Sequence, residues 1–183
     1  MRTTFRAALA ATLLLAVTPG LAVAHQGLLH EGCDPAATFT SGPITVSGAF
    51  TRAMPPNAPS AGGYLTINNA ATMPDRLLGA TSEAAGAVDL HEMKMEGEMM
   101  KMAPVAGGLE IPAGGSVSLV PGNGYHLMLT NIGVPFEEGQ CVEVTLKFEA
   151  AGELPVVLSI GPVTASAPPE HRMDAKMDPN MKM

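Results

Sequence analysis

Between Ile44 and Ile160 the chain falls into short β-type runs, each closed by a turn of glycine, proline or acidic residues. The runs are ITVSGAFTRA, GGYLTINN, DRLLGATS, AVDLHEMKM, MMKMAPV, SVSLV, YHLMLTNI, CVEVTLKFE and LPVVLSI. The breaks between them include MPPNAPSAGG, EGE, IPAGG, PGNG and VPFEEGQ. The runs tend to alternate apolar with polar residues, the two-residue period of a strand that buries one face. No stretch carries a sustained, capped helical period. Many short strands at regular spacing predict an all-β sandwich or barrel.

The segments outside this region read differently. Arg2 and Arg6 precede the apolar run AALAATLLLAV, and Ala22-Val23-Ala24 is a small-residue cleavage site. The run is too short to span a bilayer, so residues 1–24 are expected to be a signal peptide rather than an anchor. The exported chain then begins at His25 and keeps no membrane anchor. Residues 25–43 are polar and punctuated by glycine and proline, and are expected to be irregular. The domain is expected over residues 44–164. Residues 165–183, a Pro/Ala hinge and then EHRMDAKMDPNMKM, have too little apolar content to pack and are expected to be a disordered tail.

The formal net charge is −7, and the signal peptide carries only positive charge. An acidic chain of this kind is a poor partner for nucleic acid. Its two cysteines, Cys33 and Cys141, lack a C-x-x-C spacing. In an oxidising compartment such a pair is expected to form a disulfide.

The chemistry sits in HEMKMEGEMMKM, residues 91–102, where five methionines alternate with charges that resist burial. Strand alternation puts Val88 and Leu90 on one face, and Asp89, His91, Met93 and Met95 on the other. In YHLMLT it puts Leu127 and Leu129 on one face, and His126 and Met128 on the other. Met100 and Met102 share a face of the following run. Three strands thus keep a core face and offer imidazole or thioether from the opposite one. Soft thioethers with borderline imidazoles suit Cu(I), suit Zn²⁺ less, and suit Ca²⁺ or Mg²⁺ hardly at all. His91-Glu92 is not followed by a second histidine, so the zinc-protease motif fails, and no nucleophile elbow or phosphate loop is present.

These residues resemble the signature of the PCu(A)C family of periplasmic copper chaperones. Ten residues separate His91 from Met102, and His126-Leu127-Met128 supplies the family's His-x-Met. The flanks GGYLTINN, DRLLGATS, VDLHE, MKMAPV, GGLEIPAGGSVSLVPG and VEVTLKFE are similar to the family's as well. Twenty-three residues lie between Met102 and His126, slightly more than the family's usual interval, and the extra length is placed in the PGNG turn. The resemblance implies a cupredoxin-like barrel or sandwich and one Cu(I) held by His91, Met102, His126 and Met128. It implies a periplasmic location and delivery of copper to the copper-site subunit of a respiratory oxidase, often beside a Sco-type thioredoxin-like copper protein. Met93, Met95, Met99 and Met100 are then surplus, as auxiliary donors or as packing. His171, Met173, Met177, Met181 and Met183 make the tail a candidate second copper site, for Cu(II) through His171 or Cu(I) through the thioethers.

Two other readings compete. A scavenger would bind copper and pass it to no partner. A copper enzyme could use the α-amine and imidazole of His25 as a chelate, but a flexible terminus offers no preorganised site. The expectation is therefore a binding protein and not an enzyme.

Overall fold

The computed structural model describes residues 29–122 and 124–169, and every regular element among them is a strand. In chain order these are β1 (Leu29–Glu31), β2 (Thr38–Ser41), β3 (Ile44–Arg52), β4 (Ser60–Asn69), β5 (Asp75–Thr81) and β6 (Ala85–Glu96). They continue as β7 (Met99–Pro104), β8 (Leu109–Ile111), β9 (Ser116–Leu119), β10 (Gly124–Ile132), β11 (Gln140–Phe148) and β12 (Glu153–Gly161). Each run read as a strand is one.

The sheet runs β11-β12-β3-β4-β10-β6-β5 and closes on itself where β5 pairs antiparallel with β11. The result is a cupredoxin-like barrel of seven strands, with β12 and β3 parallel. The other strands attach at the rims: β1 to β11, β2 to β3, β7 to β6, β8 to β5 and β9 to β4. Closure removes the exposed hydrogen-bonding edges that an open sheet would leave.

The inward positions of the alternating runs fill the barrel. Ile44, Val46, Ile67, Leu127, Val144 and Leu158 are all fully buried. Each such side chain contributes about 1.5–3 kcal/mol by leaving water. Gly48, at φ +60, lets β3 shift register between Ser47 and Phe50, a bulge that other residues adopt only with strain. The Asp75 carboxylate holds the closing seam. It accepts hydrogen bonds from the backbone N–H of Arg76 at 2.7 Å, Ala150 at 2.8 Å and Ala151 at 3.0 Å. The start of β5 is thereby tied to the turn between β11 and β12.

Three expectations need correction. The stretch 25–43, read as irregular, contains β1 and β2. Both are short, and each is a strand only because it borrows a partner from the barrel, so neither has a pattern of its own to read. The triplet β8 was not read as a strand, and Ile111 was placed in the IPAGG turn, yet Leu109 and Ile111 are buried in the core. Finally, the domain does not stop at residue 164. Ala165 is buried against Phe50 and Tyr64, and its carbonyl accepts from Arg52 Nε at 2.7 Å. The first residues assigned to the tail therefore pack on the barrel.

Cys33 and Cys141 are bonded, with their Cα atoms 6.1 Å apart and their positions 108 apart in sequence. The bridge fastens the N-terminal segment beside β11, where His30 and Cys141 are register partners. The predicted signal peptide, His25 and the segment from residue 170 onward lie outside the described residues.

Candidate metal centre

The site is built from the adjacent strands β10, β6 and β7. Register partners in an antiparallel pair point to the same face, so the strand pairing defines rows across these strands. His126 lies opposite His91, and His91 lies opposite Pro104. One row outward, Gly124 faces Met93 and Met93 faces Met102. One row further, Met95 faces Met100. On the inner side of the histidines, Met128 faces Asp89. His91, His126, Met102 and Met128 thus share one face, with the thioethers flanking the imidazole pair diagonally from opposite sides.

The two imidazoles sit with ring centroids 5.9 Å apart and planes at 83°. His126 is only 7% exposed, while His91 and Met128 are half-buried and Met102 is exposed. The site therefore has one buried wall and one open wall. His91 Nδ1 is buried and has no hydrogen-bond partner. A buried polar atom without a partner costs stability, and a nitrogen lone pair left in that condition suits metal ligation. Among the described residues, no three His, Cys, Asp or Glu side chains converge on a common point. The donors at this site are two imidazoles and thioethers, a set that favours a soft monovalent ion over zinc.

Burial holds the His126 pKa below the usual histidine range, and the neighbouring His91 lowers it further, while a hydrogen bond to the Gly124 backbone opposes the shift. The folded protein thus keeps this ring neutral at a pH where the unfolded chain protonates it. Falling pH then favours the unfolded state, and the stabilisation is lost as pH drops below the ordinary histidine value of 6.5. The metal-free protein is expected to lose stability on acidification through that range, and His126→Gln to flatten the dependence. Urea unfolding at a series of pH values checks both.

The surplus methionines separate by face. Met93, Met95 and Met100 share the histidine face. Met99 faces Glu96 on the opposite side of the ribbon, so it is not placed to serve the imidazoles. The register is set by the turn, a two-residue hairpin loop with Gly97 first and at φ +64. A slip of one residue would have reversed these faces. Alternation within one run could not reveal that Met93 lies in the same row as Met102, since that depends on cross-strand register. His30 is exposed on β1, away from these three strands. His25, His171, Met173, Met177, Met181 and Met183 lie outside the described residues.

The geometry defines a closed β-barrel protein carrying an imidazole pair and thioethers on one outer face. Comparison with known proteins places it further. A family model described as "Putative lipoprotein LpqE-like" matches residues 44–160. The curated relative "Putative lipoprotein Lxx21020" of Leifsonia xyli subsp. xyli (strain CTCB07) is 33% identical over 130 residues, covering 69% of this chain and 76% of the relative. The solved apo PmoF2 PCuAC domain matches with a TM-score of 0.59 and 25% identity, covering 71% of this chain and 98% of that domain. The copper-bound PCuAC domain from PmoF2 matches with a TM-score of 0.58 and 26% identity, covering 69% of this chain and 98% of that domain. The chain belongs to the LpqE-like family of PCuAC-type proteins.

Proposed function

We propose that this protein is an exported copper chaperone that binds Cu(I) through His91, Met102, His126 and Met128. The observation that carries the reading is the direct pairing of His91 with His126, flanked by thioethers on one face of a PCuAC-type barrel. The copper in the related PmoF2 domain supports it. Neutral nitrogen and sulfur donors hold Cu(I) without the thiolates that an oxidising compartment would consume. The open wall at Met102 suits exchange of the ion with a partner, because an exposed thioether can leave while the buried imidazole stays bound.

The recipient in this reading is the copper-site subunit of a respiratory oxidase, reached in the periplasm and assisted by a Sco-type protein. The relatives are described as lipoproteins, but both cysteines of this chain are bonded to each other, so neither sulfur is free to carry a lipid. The role is binding and delivery rather than catalysis. Mixing the Cu(I)-loaded protein with an apo copper-site subunit, then separating the two and measuring copper in each, tests delivery. Copper that stays on the donor would favour the scavenger reading, which the abundance of exposed thioethers on β7 also suits.

The C-terminal tail is proposed to bind a second, weaker copper, as Cu(II) through His171 or as Cu(I) through Met173, Met177, Met181 and Met183. The loops between these donors are short, so closing around an ion costs little chain entropy. Replacing His171 by alanine and the four methionines by leucine in the full chain is expected to lower the copper stoichiometry and leave the tight site intact. Identical titrations with Cu(I) and with Cu(II) would remove the tail from the binding account.

A further inference from the structure

The β6–β7 hairpin runs out past the barrel, and every residue of β7 is exposed. The ribbon is sorted by face. Glu92, Lys94, Glu96 and Lys101 lie on one side, where Lys94 pairs with Glu92 and Lys101 with Glu96. The other side carries Met93, Met95, Met100 and Met102, in line with the histidines. Core packing does not account for these thioethers, because Met95 is 55% exposed and Met100 is 46% exposed. A wet strand position is better served by threonine, valine or tyrosine. What methionine adds there is a neutral soft donor.

Three of these thioethers are not used by the histidine site. We propose that Met93, Met95 and Met100 form a second Cu(I) site, an outer landing place from which the ion passes inward to His91 and His126. This rests on reading the inner site as a Cu(I) centre. Met95 and Met100 are direct cross-strand partners, and Met93 is the next residue inward on the same face. Three thioethers satisfy the low coordination number that Cu(I) prefers. The set lacks an imidazole, so it binds more weakly than the inner site and gives the ion up toward it. Successive rows are about 7 Å apart along a strand. Met93 and Met102 occupy the row between the outer pair and the histidines, so each inward step meets a thioether. Gly124, opposite Met93, has no side chain to block the route, and a Cβ placed there would meet nothing within 4 Å.

The test uses the full exported chain with ¹³C-labelled methionine methyls, titrated anaerobically with Cu(I) in the presence of ascorbate. The first equivalent is expected to move the Met102 and Met128 methyls and the ring signals of His91 and His126. Further copper is expected to move Met93, Met95 and Met100, whose signals are distinct from those of the tail. Met95→Leu with Met100→Leu keeps the size and apolar character of both side chains. It is expected to abolish the outer shifts and leave the inner affinity unchanged. Loading of the inner site from a weak Cu(I) donor is expected to slow about fivefold, because the ion is no longer held at high local concentration. Outer methyls that stay still as copper is added beyond the first equivalent, or a double variant that loads at the wild-type rate, would overturn the proposal. Histidine signals that never move would instead overturn the inner site, and the outer methyls would still report on their own.

Discussion

His126→Ala is expected to lower Cu(I) affinity by more than about 100-fold, since even altering groups behind a metal ligand costs 10–100-fold. His126 is the buried wall of the site, only 7% exposed, and no other histidine among the described residues shares its face except His91. Its loss leaves one imidazole and thioethers. Met102→Leu is expected to cost much less, about tenfold or below, because Met93 stands directly opposite and can supply the missing sulfur. Competition with a Cu(I) chelator measures both. The alanine also leaves a small void under the strand, so His91→Ala, at a half-buried position, serves as the independent variant. If His126→Ala and His91→Ala both bind as tightly as the parent, copper is held elsewhere.

Reduction of the Cys33–Cys141 bridge is expected to produce the largest loss of stability. The bridge closes a loop of 108 residues. In the chain-entropy model, opening a loop of that size costs about 4–5 kcal/mol. For a domain of this size the loss corresponds to a fall in Tm of roughly 10–15 °C. The short strand β1 depends on the same anchor, so its amides are expected to lose hydrogen-exchange protection first. Cys33→Ala with Cys141→Ala should reproduce the effect of reductant, and alanine avoids placing a new polar group at the fully buried Cys141 position. Thermal unfolding with and without reductant decides it. A shift of only a degree or two would mean that native contacts already restrain the segment in the unfolded chain.

The cysteine pair was legible because export and an even count leave few alternatives. The strands from β3 to β7 and from β10 to β12 were legible because each has enough residues to display a two-residue period, and the four-residue β9 was legible only because the IPAGG and PGNG turns bracket it. The short strands β1, β2 and β8 were not, since three or four residues carry no period and their pairing is a property of the partner strand. The packing of Ala165 was hidden for a related reason. Its burial comes from Phe50 and Tyr64, which lie more than a hundred residues earlier. A polar, proline-rich segment looks like a tail until the surface it rests on is known.

The same division runs through the site. Alternation within a run determined that His91 leaves the core face while Leu90 enters it, and that His126 leaves it while Leu127 enters it. That much is local, because consecutive side chains on a strand must point opposite ways. Whether two such faces meet is not local. Only the tertiary structure put His91 opposite His126, set Met93 beside Met102, turned Met99 away with Glu96, and buried His126 on the face away from the core. Those outcomes follow from the β5–β11 closure and the Gly97 hairpin, which set the register between strands. Register is a relation between distant segments, and a change of one residue in it would exchange the charged and thioether faces of the ribbon.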